Sequence, residues 1–133
     1  MRVVLDTNIF VSGIHWAGDS EKVLRKWFHH EFDLVSSVAI IEEMTRILSS
    51  FKIPMETEDI LWWRTLVLER SIIIEPVNKL NIVKEDPGDN KFIEAALEGK
   101  ANYIITQDNH LLKIKKYKSI KIVSPSEFLR LST

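Results

Sequence analysis

The chain has 133 residues, 45% of them hydrophobic and 28% charged, which is the size and balance of one ordinary globular domain. It contains no cysteine, which excludes a disulfide framework and thiolate metal centres and is compatible with a reducing compartment. The formal net charge of −1 is not the strongly basic balance common among nucleic-acid-binding domains.

The opening Met1-Arg2-Val3-Val4-Leu5-Asp6 meets an acid after only a short apolar run. That is far short of a secretion signal or a membrane span, so a cytoplasmic chain without membrane association is expected. In chain order, Arg2–Leu5 reads as a strand, residues 20–29 as a helix and Phe32–Val35 as a second strand. Two helices follow, over 37–49 and 57–70, then a strand over 71–74. A helix over 89–99, strands Tyr103–Ile105 and Ile120–Val123, and a last helix from Pro125 complete the pattern. Ser124-Pro125-Ser126-Glu127 is a capping box with proline at the first helical position, and Asp86-Pro87-Gly88-Asp89 is a similar start. Gly99 is a natural helix stop. Short apolar strands alternating with helices predict an α/β fold: three layers, α/β/α, around a mostly parallel central sheet of about five strands. No repeat, low-complexity tract or linker interrupts the chain, so residues 1–133 are expected to form a single domain.

Four acids stand where chemistry is expected. Asp6 directly follows the first strand, and Asp108 follows the strand 103–105 by way of Thr106 and Gln107. Open parallel sheets bind ligands at the carboxyl ends of their strands. Each acid could equally cap the helix after it. Asp89 shares a helix face with Phe92, Ile93 and Ala96, an expensive place for a carboxylate without a proton, partner or cation. In the helix 37–49 the buried stripe is Ile40, Met44, Ile47, Leu48 and Phe51. At about 100° per residue Glu42 falls opposite that stripe and Glu43 on its border, where Glu43 either reaches over the sheet edge or keeps its head in water. If Asp6, Glu43, Asp89 and Asp108 converge, their oxygens suit Mg²⁺ or Mn²⁺ rather than zinc or copper. Such a site polarises a phosphate and activates water, with no need for a side-chain nucleophile. Asn8 and Thr106 could orient a carboxylate from behind, or serve as a turn residue and a cap. His15, His29, His30 and His110 share no metal-ligand spacing and read as surface or boundary residues.

In this pattern the sequence resembles the PIN-domain ribonuclease family. Asp6-Thr7-Asn8 is similar to its opening Asp-Thr-Asn, and Glu43 lies in the helix where it keeps an acid. Asp86-Pro87-Gly88-Asp89-Asn90, with the Lys91–Ala96 segment, resembles its third motif, and Thr106-Gln107-Asp108 its last. Gln107 departs from the Arg or Gly often found there, which bears on substrate contacts rather than on metal. The closing Ile122–Leu129 segment resembles a subgroup described as toxins of toxin–antitoxin pairs. The resemblance implies a Mg²⁺- or Mn²⁺-dependent endoribonuclease, often a homodimer and often inhibited by a small antitoxin. It implies catalytic metal binding by Asp6, Glu43, Asp89 and Asp108, with Asp86 as an accessory.

Two other functions stay open from sequence. One is a PIN-like binding or regulatory module whose acidic pocket holds a structural cation. The other is a metal-dependent phosphatase of the haloacid-dehalogenase type, which would need a second Asp where Asn8 stands. Lys113, Lys115, Lys116, Lys118 and Lys121 form either a solvated face or a local basic surface. The segment around Trp62 and Trp63 is apolar around most of its helical circumference. It is either buried deeply within the monomer or the interface of a homodimer, and we expect the dimer.

Overall fold

The computed structural model describes residues 1–84 and 86–132. Six strands are ordered β3-β2-β1-β4-β6-β5: β1 (Arg2–Leu5), β2 (Asp33–Ser37), β3 (Ile72–Ile74), β4 (Tyr103–Ile105), β5 (Lys116–Tyr117) and β6 (Ile120–Val123). All pairings are parallel except β5 with β6. The sixth strand, β5, is the departure from the expected count. At two residues it is too short to carry a hydrophobic period, and it exists only because a tight turn folds it back on β6.

Seven helices complete the described fold: α1 (Thr7–His15), α2 (Asp19–Phe28), α3 (Val38–Ser50), α4 (Thr57–Arg70), α5 (Asn90–Glu98), α6 (Asn109–Leu112) and α7 (Pro125–Leu131). Alternation along β1 divides the core. Val3 and Leu5 point into a cluster with Phe10, Leu24, Trp27 and Phe128, whereas Val4 points into one with Phe92, Ile93, Ala96 and Ile104. The sheet is thus covered on both faces, and the α/β/α layering follows.

Helix α1 escaped the pattern reading because Ile9, Phe10, Val11 and Gly13 are all buried, which blurs the helical stripe. Gly13 has a packing reason. A Cβ there would lie 2.6 Å from Leu24 Cδ1, so glycine lets α1 and α2 approach closely. Gly99 does end α5, but with ordinary φ. A Cβ there would meet Val35 Cγ1 at 2.4 Å, and Lys100 takes the left-handed turn instead. Ser124 accepts from the Glu127 N–H at 3.2 Å, forming the anticipated cap of α7.

The chain runs from β1 to β2 and β3 on one side, then crosses to β4 on the other side of β1. The order therefore reverses between β1 and β4, and a crevice at their carboxyl ends is the place for a ligand in such sheets.

Candidate active site

Asp6 and Asp108 come from the two strands that flank the reversal. Asp6 is 4% exposed and occupies the N-cap position of α1, yet its side chain closes no cap hydrogen bond. It instead accepts from the Thr106 hydroxyl, Oγ1 to Oδ2, at 2.6 Å. Thr106, fully buried, also accepts from the Asp108 backbone N–H at 2.9 Å. One hydroxyl thus fixes the ends of both strands relative to each other. Burial pushes the Asp6 carboxyl above its usual pKa. The hydroxyl of Thr106 and the backbone N–H of Asn8 oppose that, while the charges of Glu43 and Asp108 reinforce it.

Asp86 begins a single 3₁₀ turn, Pro87–Asp89, by accepting from the Gly88 N–H at 3.2 Å. Asp89 closes that turn just before α5 and is 8% exposed. Its Oδ2 is buried without any hydrogen-bond partner among the described residues. Burial pushes the Asp89 carboxyl up to about 8, helped by a hydrogen bond to the Asp108 side chain and by the charges of Asp108, Asp86 and Asp6. Ligand atoms of Asp86, Asp89, Asp108 and His110 all lie within 4.8 Å of one another.

Glu43 projects from α3 on the border of its buried face, whereas Glu42 is exposed, as the helical period requires. The Thr7 hydroxyl donates to Glu43 Oε2 at 2.8 Å, and Lys91 Nζ approaches the same oxygen at 3.1 Å. Lys91 Nζ also donates to the Gly88 carbonyl at 2.7 Å, tying α3 to the 3₁₀ turn.

The PIN domain family matches residues 2–110. The chain is a member of that family. It is also 33% identical over 141 residues to an uncharacterized protein of Methanocaldococcus jannaschii, covering 97% of this chain and 90% of that protein. Its fold is similar to that of VapBC2 from Rickettsia felis, crystallised with a DNA fragment from its promoter. The TM-score there is 0.63 at 18% identity, over 93% of this chain and 98% of that one. The structure of VapBC-1 from nontypeable Haemophilus influenzae matches with a TM-score of 0.65 at 17% identity, over 95% and 99% of the two chains.

In this PIN domain, Asp89 and Asp108 converge with Asp86, and Asp6 stands close enough to perturb Asp89. Glu43 flanks Asp6 and is held by Lys91 rather than joining the tight group. Asn8 exposes its side chain and turns only its backbone N–H toward Asp6. Thr106 both braces Asp6 and receives the Asp108 N–H, so its two readings are compatible.

His110 has neighbours that its spacing from the other histidines does not show. It is exposed, as expected, but the first turn of α6 carries it into the acidic group, where its Nδ1 lies 3.8 Å from Asp108 Oδ1 and its N–H caps onto that oxygen at 2.7 Å. Spacing among histidines could not reveal this, because the group it joins is made of carboxylates: Asp108 two residues before it, and Asp86 and Asp89 from a distant turn.

The supports of the third motif were also missed. Asn90 Oδ1 accepts from the Ile82 and Val83 N–H groups at 2.9 and 2.8 Å, and its Nδ2 donates to the Val83 and Pro87 carbonyls, both at 3.1 Å. Glu94 accepts from the Leu80 N–H at 2.8 Å. Both are buried polar residues inside an apolar helix, and that misplacement was the available signal.

These residues fit a hard divalent cation. The group is almost entirely carboxylate oxygen, one buried oxygen lacks any partner among the described residues, and the neighbouring carboxylates push the Asp89 carboxyl up. Among the described residues no helix is long and apolar enough to cross a membrane.

Proposed function

We propose that this PIN domain is a metal-dependent endoribonuclease that hydrolyses RNA phosphodiester bonds, the toxin of a toxin–antitoxin pair. The observation that carries the proposal is the buried, unpartnered Asp89 Oδ2 within the group Asp86, Asp89, Asp108 and His110, at the carboxyl edge of a parallel sheet. Asp6, Asp89 and Asp108 are assigned to hold Mg²⁺ or Mn²⁺ catalytically, with Glu43 as the fourth acid and Asp86 as an accessory. The cation supplies Lewis-acid polarisation of a phosphodiester and acidifies water.

The chain's own residues do the positioning. Thr106 presents one Asp6 oxygen through a short hydroxyl bond and holds the Asp108 backbone beside it. Thr7 and Lys91 keep Glu43 oriented and partly neutralised at the rim. Asn90 and Glu94 fix the segment that delivers Asp86 and Asp89. Residues 1–133 are taken to work as one unit in the cytoplasm. The resemblance of the C-terminal segment to the toxin subgroup supports a small antitoxin protein as partner, and the exposed apolar face of α4 supports a homodimer.

The test is cleavage of single-stranded and structured RNA by the purified chain. Activity should require Mg²⁺ or Mn²⁺, stop in excess chelator, and vanish in Asp6→Asn with the circular dichroism unchanged. Cleavage that continues unchanged in chelator would sink the mechanism. A folded, metal-binding chain that cuts no RNA would favour the silent binding module.

A further inference from the structure

The lysine-rich stretch from 113 to 121 contains no acid, in a chain whose net charge is −1. The fold gives it a shape. Lys115, Lys116 and Lys121 line one open groove of ≈ 540 Å³ with Leu112, Ser124 and Leu131 of α7. Glu127 also lines it, so the groove keeps a net positive charge.

Two features separate this groove from an ordinary solvated face. Lys116 and Lys121 are direct partners in the β5–β6 ladder, so their side chains leave the same face of the sheet. Like charges placed opposite each other destabilise a ladder, and none of Lys115, Lys116 and Lys121 makes an ion pair with a described residue. Lysine on an edge strand protects against aggregation, which accounts for Lys116. It does not account for Lys121, because β6 is paired on both sides.

The second feature is position. Val123, the last residue of β6, and Ser124 line the groove, and the Val123 carbonyl accepts from the Thr106 N–H at 3.0 Å. Thr106 is the residue that braces Asp6. Leu112, which also lines the groove, ends the helix that Asp108 caps and His110 opens. The groove therefore starts one strand away from the acidic group. Lys121 pairs with Tyr103 at the amino end of β4 and Lys116 pairs with Lys121, so the cations lead away from the acidic edge along β6, where they offset its repulsion of a polyanion.

We infer that the groove between the β5–β6 hairpin and α7 is the docking surface for the phosphodiester backbone of the RNA strand flanking the cleaved bond, with Lys115, Lys116 and Lys121 contacting phosphates. The inference rests on the ribonuclease reading of the acidic site. It requires binding to depend on salt and on charge rather than on base identity. Each phosphate neutralised on a single strand contributes about 0.7 to the slope of log affinity against log salt, so losing three contacts should lower that slope by about 2.

The experiment compares the wild-type chain with the triple variant Lys115→Gln/Lys116→Gln/Lys121→Gln. Fluorescence anisotropy with a labelled single-stranded RNA, and with DNA of the same sequence, is read over a salt series in excess chelator, so that nothing is cut. KM and kcat for RNA are then measured with Mg²⁺. The triple variant should keep its fold, lose about 2 from the salt slope, and show KM raised about tenfold with kcat unchanged. Lys116→Arg/Lys121→Arg, which conserves charge, should behave as wild type and excludes a folding artefact. Comparable loss for RNA and DNA supports a backbone-reading groove, whereas DNA binding without RNA binding overturns it. Affinity, slope and KM all unchanged in the triple variant overturn the assignment and leave the nuclease reading standing. Groove-dependent RNA binding in a chain that never cuts RNA keeps the assignment and removes that reading.

Discussion

Lys91 Nζ lies 3.1 Å from Glu43 Oε2, so Glu43 is the one site carboxylate with a lysine counter-charge among the described residues. The adjacent Glu42 is exposed and contacts none of this machinery. Glu43→Gln keeps the shape of the side chain but loses its charge. It should lower RNA cleavage about tenfold to a hundredfold, the usual scale for removing a group that orients a metal ligand set. Glu42→Gln should stay within about twofold, as surface changes do. Single-turnover cleavage rates with matched circular dichroism check both. The reverse ranking would mean that the acidic face of α3 has been assigned to the wrong residue.

Thr106 is buried between Asp6 and Asp108, and valine would fill its space without its hydroxyl. Thr106→Val would leave a carboxylate oxygen and a backbone N–H without their partner, at about 1–3 kcal/mol for a buried group left unsatisfied. It should also weaken Mn²⁺ binding about tenfold or more. Thr106→Ser should restore most of both. Denaturant unfolding and calorimetric titration of Mn²⁺ are the measurements, and unchanged affinity in Thr106→Val would remove the bracing role.

How far the sequence foretold this site depends on how local the determinants were. Asp6 and Asp108 were legible because each follows a β-branched strand by one or a few residues, and strand ends are where such sheets bind. Asp89 was legible because Phe92, Ile93 and Ala96 mark its face as buried, which the structure bears out. Glu43 was separated from Glu42 by helical period alone. What stayed hidden was contact between distant elements. Lys91 meets Glu43 across 48 positions, and His110 joins acids that lie on another turn. In the fold, α1 was missed because both its sides are buried, and β5 because two residues carry no period. The Lys91–Glu43 contact and the meeting of His110 with Asp86 and Asp89 join segments far apart in sequence, so no local pattern encodes them.

Without metal, Asp89 should make stability fall as pH rises. Its folded pKa of about 8 lies above the value near 4 expected in an unfolded chain. The folded state therefore holds this proton more tightly. Its stabilising effect is complete below about pH 4 and is lost as pH climbs toward about 8. Asp6 shifts in the same direction. Thermal unfolding in chelator should thus show wild type losing ground to Asp89→Asn between about pH 4 and 8. Added Mn²⁺ at neutral pH should rescue wild type more than the variant, by about 2.7 kcal/mol at a hundredfold excess over Kd. Parallel pH profiles for the two proteins would rule out this assignment of the buried carboxyl.

Helix α4 carries two apolar stripes, and the structure assigns them different surroundings. Ile60 and Val67 are buried, and Trp63 lies on the same side, its ring 5.7 Å from that of Phe28. Leu61, Trp62 and Leu68 remain 52%, 56% and 39% exposed. The two tryptophans therefore part company. Trp63 belongs to the monomer's packing, which leaves Trp62 of the two as the centre of the expected interface. Trp62 packs edge-on against Trp63 at 5.2 Å, so its ring is braced before any partner arrives. An exposed tryptophan beside a stripe of exposed leucines matches the anchors that dominate interfaces, and a twofold pair of such faces is self-complementary. We predict a homodimer centred on Trp62. Trp62→Ala should cost the dimer about 2 kcal/mol or more, shifting its dissociation about thirtyfold, with little effect on the stability of the monomer. Trp63→Ala should destabilise the fold itself, because it opens a gap beside Phe28. Light scattering across a micromolar concentration series, paired with denaturant unfolding, separates the two effects. A monomeric mass for wild type throughout the series would reject the dimer, and a dimer untouched by Trp62→Ala would move the interface elsewhere.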